Sequence, residues 1–333
     1  MYDILDALVN IDYNRRSVDK LYAAARELYD KPICEAIADE ILKVPAGRFV
    51  FLTTGSVTRT WVDPRIGETD GPLGTAVLAK KIRELTKAVP LIISEASLIP
   101  PIGAVTQAAG LSVVTPEQAH IAENNKQKGQ TSVACMLPFT TEKTAAADEA
   151  KKLLDEYNPA LIISIEKAGV NAAGIFHNMR GHDYSAGRAR VDHLILEGKT
   201  RGIPTIGIGD GGNEIGMGAI KEAVHKYVKY GAQCQCGCGL GMAAETATDI
   251  LFTGSVSNWA CYVVCAALAL KTGKDSMLHD PETEKRLLAV AVQNGMVDGN
   301  TGKSEMTVDG FSTETNCAFI SFMKNLVEKK ILS

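Results

Sequence analysis

The run Gly207-Ile208-Gly209-Asp210-Gly211-Gly212-Asn213-Glu214-Ile215-Gly216-Met217-Gly218 constrains this chain more than any other stretch. A strand-like run, Ile203 to Ile208, leads into it and a helix-like run, Ile220 to Val228, follows it. A strand that feeds a glycine-rich turn and then a helix presents backbone amides at the carboxyl edge of a sheet, where α/β proteins bind ligands. Gly207, Gly209 and Gly212 have the spacing G-x-G-x-x-G, but Asp210 and Glu214 would meet a pyrophosphate with like charge, which argues against a dinucleotide. Two carboxylates beside Asn213 suit a hard cation or acid/base work. The plain alternative is a tight connection with an Asp or Asn cap.

The rest of the chain has the rhythm of βαβ units. Helical periodicity covers Val18 to Tyr29 and Pro32 to Lys43, and from Arg48 onward short apolar runs alternate with amphipathic ones. Strands are expected at Phe49 to Leu52, Leu91 to Ser94, Ser112 to Val114, Ser132 to Met136, Leu161 to Ile165, Ile203 to Ile208 and Asp249 to Phe252. Helices are expected at Leu73 to Thr86, Ile102 to Ala109, Thr141 to Tyr157, Ser257 to Leu270, Glu282 to Gln293 and Glu314 to Ile331. Continuously apolar strands call for a mostly parallel sheet covered by helices on both faces. The expected organisation is an N-terminal helical cap over residues 1–47 and a single α/β domain over 48–333, in one lobe or two.

A net charge of −4, with 46% hydrophobic and 22% charged residues, describes an ordinary globular chain without the basic stripe that nucleic acid needs. The acidic start, Met1-Tyr2-Asp3-Ile4-Leu5-Asp6, lacks the pattern of a secretory or transit peptide, so the cytoplasm is the expected compartment. The apolar stretch Trp259 to Leu270 is too short to span a bilayer and reads as a buried helix. Cys34, Cys135, Cys261, Cys265 and Cys317 sit in apolar patterns as reduced, buried thiols. Cys234, Cys236 and Cys238 differ, because C-x-C-x-C in an extended segment turns three thiols to one face. With no C-x-x-C spacing and no fourth Cys or His nearby in sequence, a strand of small residues is favoured there over a zinc site.

Loops at the ends of the expected strands should gather on one side of the sheet. In Thr53-Thr54-Gly55-Ser56, hydroxyls and amides could hold a carboxylate or phosphate. Gly67-Glu68-Thr69-Asp70-Gly71-Pro72 places two acids ahead of a helix that Pro72 can start, with Asp70 either a cap or a ligand. After the Leu161 to Ile165 strand come Glu166 as base or metal ligand, Lys167 as a positive charge, Asn178, and Arg180 as a fork for a carboxylate. His177 and His182 lack metalloprotease spacing and read as structural. Ser257 and Asn258 could cap the helix that follows or contact a ligand. Nucleophile-elbow and P-loop patterns are absent from the sequence.

Taken in order, T-G, G-E-T-D-G-P, E-x-x-G, N-M-R-G, G-I-G-D-G-G-N-E-I-G-M-G and V-S-N-W resemble the D-glutamate cyclase-like C-terminal domain family over about Thr53 to Leu270. The resemblance implies a lyase that closes D-glutamate, or a related acidic amino acid, to 5-oxo-D-proline and water. Longer members carry a further N-terminal domain, and the family pattern is silent on the three clustered cysteines. On this reading a divalent cation, Mg²⁺, Mn²⁺ or Ca²⁺, sits on Glu68, Asp70, Asp210 and Glu214, with Asn213 as a neutral donor. Arg180 anchors the α-carboxylate, Glu166 takes the amine proton, and amides at Gly55, Gly71, Gly211 and Gly212 hold the oxyanion. Thr54, Lys167, Asn178 and Asn258 complete the substrate contacts. The expected partner is a small acidic metabolite, with neither nucleic acid nor membrane, and self-association into a homo-oligomer is allowed for. A metal-dependent phosphohydrolase and a non-catalytic amino-acid or metal-binding module are the alternatives.

Overall fold

The computed structural model describes residues 1–331. Three helices come first, α1 (Tyr2–Val9), α2 (Val18–Arg26) and α3 (Ile33–Leu42), ahead of β1 (Phe49–Thr53). The chain continues through α4 (Pro72–Thr86), β2 (Val89–Ser94), α5 (Ile99–Ala108), β3 (Ser112–Val114), α6 (Pro116–Asn124) and β4 (Val133–Pro138). Next are α7 (Ala146–Tyr157), β5 (Leu161–Ile165), α8 (Asp192–Thr200), β6 (Thr205–Gly209), α9 (Lys221–Tyr227), β7 (Ile250–Thr253) and α10 (Ser257–Thr272). After α11 (Pro281–Gln293), a short antiparallel pair, β8 (Thr307–Val308) and β9 (Phe311–Ser312), leads into α12 (Thr313–Ile331).

Seven strands form one sheet in the order β3-β4-β2-β1-β5-β6-β7, and each neighbouring pair is parallel. The α/β architecture with helices on both faces is the one the apolar strands demanded. Successive side chains of a strand point to opposite faces. Val50 and Leu52 therefore enter a core with Ile163, Ile206, Ile208 and the helices α3, α4 and α10, whereas Phe51 and Ile162 enter a second core with Leu154, Leu194 and Ile195. The first three helices share the larger core, through Leu5, Leu21, Ile33 and Ile37. Helix α10 is buried from Ser257 through Ala269, and its Ala and Cys side chains let α3, α4 and α12 approach it. No described helix is long and apolar enough to cross a membrane.

The elements that sequence periodicity did not announce are α1, α6, α8 and the β8–β9 pair. Helix α6 had a local signal, since Thr115 and Gln118 form a reciprocal capping box around Pro116. Helix α7 starts at Ala146 rather than Thr141, because the Thr140 hydroxyl accepts the Glu142 N–H and turns the chain before the helix can begin. The expected strand through Cys234, Cys236 and Cys238 is not formed; that segment is a series of bends and turns.

Candidate active site

The sheet order fixes where a cleft must open. From β1 the chain adds β2, β4 and β3 on one side, then returns to add β5, β6 and β7 on the other. The loops after β1 and β5 therefore diverge, which leaves a crevice at the carboxyl ends of those strands. A cleft of about 210 Å³ opens there, lined by Glu68, Glu166, Asn178, Arg180, Asp210, Asn213 and Glu214 among others. Its size falls below the roughly 300–1,000 Å³ of drug-sized ligand pockets, so it suits a small metabolite rather than a nucleotide.

Three acids meet here, Glu166 and Asp210 in the cleft lining and Asp70 buried next to them. One carboxylate oxygen from each of Asp70, Glu166 and Asp210 lies within 4.8 Å of the others. Glu166 follows β5 with a left-handed φ of 46° and accepts a hydrogen bond from the Ser257 hydroxyl at 2.6 Å. Asp70 accepts the backbone N–H groups of Ser257 (2.9 Å) and Asn258 (2.8 Å) and so caps α10, a helix far from it in sequence. Its carboxylate oxygens keep lone pairs for a further partner. Asp210 follows β6 and pairs with the guanidinium of Arg16, which also donates to Asp309 at 2.9 Å and to Asn300 at 2.7 Å.

Burial raises the pKa of each of these acids, and their neighbours add to it. Glu166 is pushed well above the usual carboxylate range by burial, then by Glu214 and Asp70. Asp70 rises through burial and Asp309, and Asp210 through burial, with Arg16 opposing and Glu166 adding to the rise. Glu68, at the cleft wall, is pushed up to about 7 by burial and Asp309, against the pull of Ser56, Arg188 and Arg16. Acids this close cannot all ionise without a cation, so the cleft is built to hold protons or positive charge.

Several expected roles change once the hydrogen bonds are traced. Glu214 is not a member of the three-acid group, because its oxygens accept the N–H groups of Gly211 (3.1 Å) and Gly212 (2.8 Å). Those two amides are thereby consumed and do not offer an oxyanion hole. The Gly71 amide is consumed as well, by Asp70 at 3.0 Å and by the Asn258 side-chain oxygen at 2.9 Å. Asn258 is fully buried, accepts from Gly74 at 2.7 Å and donates to the Thr69 carbonyl at 3.1 Å, so it braces the Gly67–Pro72 loop instead of touching a ligand. Lys167 does not reach the cleft: its ammonium lies beneath the floor, paired with Glu95 and donating to the Gly55 carbonyl at 2.6 Å. Thr54 and Gly55 are buried with their carbonyls turned to Lys167, so of the Thr53–Ser56 loop it is Ser56 that lines the cleft.

The glycine-rich run also serves a different purpose from the expected one. A Cβ on Gly209 would lie 2.8 Å from Glu214 Cβ, and one on Gly218 would lie 2.3 Å from the Glu245 carbonyl oxygen. The close approach these glycines permit is therefore to the chain's own loop, which folds back so that Asp210 and Asn213 face the cleft. Asn213 donates to the His177 carbonyl at 2.8 Å, and its buried side-chain oxygen has no hydrogen-bond partner, an acceptor available to a cation or an ammonium group. Arg180 stands exposed at the rim, and Asn178 shapes its loop by accepting the N–H groups of Arg180 (2.9 Å) and His182 (3.1 Å).

Sequence reading passed over Arg16, Glu95, Arg188, Asn300 and Asp309. Arg188 is buried under the wall, donating to Ser56 Oγ at 2.9 Å and the Val57 carbonyl at 2.5 Å, with its guanidinium 3.3 Å from the centre of the Tyr184 ring. Only Glu95 had a legible signal, since it directly follows the expected strand Leu91 to Ser94. The others come from segments whose position over the cleft depends on tertiary packing.

Oxygen donors fit a divalent cation at the Asp70, Glu166 and Asp210 group, which shares Asp70 and Asp210 with the expected set of Glu68, Asp70, Asp210 and Glu214. In the metal-free protein, Glu68 sets a pH dependence of stability. Its folded pKa, about 7, lies above the ordinary 4.5, so its contribution is full below about pH 4.5 and is lost as pH rises through 7. Thermal unfolding of chelated protein should show Tm falling between pH 5 and 8, with a shallower fall in Glu68→Gln; equal slopes would remove Glu68 as the cause.

The model of the family described as "D-glutamate cyclase-like, C-terminal" matches residues 5–324, beyond both ends of the segment that carries the sequence motifs. The chain is 27% identical over 339 residues to the human protein named "D-glutamate cyclase, mitochondrial", covering 92% of this chain and 48% of that protein. The chain thus spans about half the length of that relative. Among solved structures, a dehydrogenase/reductase from Sinorhizobium meliloti 1021 aligns over 79% of this chain and 73% of its own, at 12% identity and a TM-score of 0.26.

Proposed function

The chain belongs to the D-glutamate cyclase-like C-terminal family, and from that premise we propose that it is a lyase closing D-glutamate, or a related acidic amino acid, to 5-oxo-D-proline with loss of water. The observation that carries the reading is a small cleft lined by Glu166 and Asp210, which meet the buried Asp70, with Arg180 at its rim. An amino-acid dianion with one ammonium group has matching needs: acids for its nitrogen, and a guanidinium for a carboxylate.

The reaction forms one C–N bond and breaks one C–O bond. Two protons leave the ammonium nitrogen, and both end on the departing γ-oxygen, which leaves as water, so no outside reactant is required. The substrate's ammonium group, held beside Glu166, favours the ionised form of this acid, which then takes a proton and frees the lone pair for attack on the γ-carbon. A neighbouring carboxyl that is still protonated near neutrality, Glu68 being poised at about 7, returns a proton to the leaving oxygen. Neighbouring acids whose pKa values differ can divide acid and base roles in this way. Arg180 orients the α-carboxylate, and Arg16 limits the negative charge of Asp210. A divalent cation held by Asp70, Glu166 and Asp210 would supply Lewis-acid polarisation of the γ-carboxyl group.

The test is to incubate the purified chain with D- or L-glutamate, first chelated and then with Mg²⁺ or Mn²⁺, and to quantify 5-oxoproline by chiral chromatography. Product from D-glutamate supports the reading. Saturable binding of glutamate without product would reassign the chain as a binding module, and hydrolysis of a phosphoester without action on glutamate would favour a phosphohydrolase.

A further inference from the structure

The three clustered cysteines, which the proposed reaction does not use, meet a fourth ligand that is distant in sequence. His177 Nε2 lies 3.1 Å from Cys236 Sγ and 3.7 Å from Cys238 Sγ, and Cys234 Sγ lies 3.4 Å from each of the other two sulfurs. We propose that His177, Cys234, Cys236 and Cys238 bind a structural zinc ion. This inference stands apart from the cyclase reading, because none of the four residues is in the three-acid group.

The geometry is that of a four-coordinate site. Metal–ligand distances of about 2.0–2.3 Å place tetrahedral ligands roughly 3.3–3.8 Å apart, close to the separations found here. A disulfide would bring two sulfurs to about 2.05 Å, and the three thiols are free. Thiolates and an imidazole form a soft set that selects zinc over the hard cations suited to the acidic cleft. All four positions are filled by protein, which marks a closed site that holds structure rather than one that opens to substrate.

The surroundings are prepared for the ion. His177 is fully buried and its Nδ1–H donates to the Ile175 carbonyl at 3.3 Å, so the Nε2 lone pair is turned to the sulfurs. Asn171 Nδ2 donates to Cys238 Sγ at 3.4 Å, which stabilises a thiolate. The cysteines are only half-buried and leave the ion a route in from solvent.

The site's place in the fold gives the ion a task. It would clamp the bend between α9 and β7 onto the loop after β5, where Gln235 N–H already donates to the Gly181 carbonyl at 2.8 Å. His177 adjoins Asn178, Met179 and Arg180 in the cleft wall, and its carbonyl holds Asn213. Zinc at this point would fix the rim guanidinium without touching the substrate.

The test uses the full chain, purified without a metal-affinity tag. Elemental analysis should find about one tightly held zinc per chain, with zinc X-ray absorption showing three sulfurs at about 2.3 Å and one nitrogen at about 2.0–2.1 Å. The Co²⁺-substituted protein should show sulfur-to-metal charge-transfer absorption, and Cys236→Ser should lose both zinc and that band while Cys317→Ser keeps them. Because Cys236→Ser could fail to fold, the wild-type absorption spectrum decides on its own. An all-oxygen shell, a zinc-free chain from zinc-replete cells, or a disulfide among the three cysteines would overturn the proposal.

Discussion

Glu166→Gln is expected to lower turnover of D-glutamate by about 10²–10⁴-fold, the usual contribution of a general base, with little change in thermal stability. Gln keeps the volume and can still accept from the Ser257 hydroxyl, so the local hydrogen bond survives. What it loses is the capacity to take a proton from the ammonium group. Removing one acid from a group whose members raise each other's pKa should also relieve repulsion with Asp70 and Glu214, which gives a neutral or slightly positive change in Tm. Chiral quantification of 5-oxoproline beside a thermal melt measures both. A variant that turns over at the wild-type rate would remove Glu166 from the chemistry.

Lys167→Met should cost about 3–5 kcal/mol of stability, because Glu95 would be left buried with its partner gone. Glu95 also accepts the Ala189 N–H and the Ser94 hydroxyl, each at 3.0 Å, so it cannot swing out to water without breaking both. The double variant Lys167→Met/Glu95→Gln should recover most of the loss, since an amide oxygen still accepts from Ala189 and no lone charge is left inside. Urea unfolding with an unchanged m-value reads the difference. A cost below about 1 kcal/mol for the single variant would mean the pair is neutral or hydrated.

The two variants touch adjacent residues and predict opposite phenotypes, and sequence alone could not have separated them. Glu166 and Lys167 are neighbours just past the end of β5, yet Glu166 meets Ser257 at the cleft while Lys167 pairs with Glu95 beneath it. Which of the two faces the cleft depends on where Glu95 and the floor carbonyls of Thr54 and Gly55 stand, and this is tertiary information. The strands were legible because buried parallel strands are written as continuous apolar runs, and β3 and β5 begin and end at the expected residues. Asp210, Asn213 and Arg180 were legible as cleft-lining residues because strand-end loops gather at one edge.

Legibility failed where backbone groups choose their own partners. Glu214 reads like a ligand but answers the amides of Gly211 and Gly212, and Asn258 reads like a ligand contact but holds Gly71 and Gly74. Side chains of this type satisfy nearby amides as readily as they bind ligands, and spacing does not say which they do. The fourth residue beside the cysteine triplet was missed for a related reason: His177 is close to the sulfurs only after the loop following β5 folds against the α9–β7 bend.

Arg16 bridges Asp210 and Asp309, partners that lie 194 and 293 positions away along the chain. A ribosome works from the N-terminal end, so the guanidinium waits through the synthesis of 293 further positions for its second carboxylate. Closing so long a loop is entropically unfavourable until the intervening sheet has drawn the ends together. The cleft is therefore a late property of this protein: a nascent chain that stops short of Asp309 can carry the strands and most of the core, but it cannot carry a finished site.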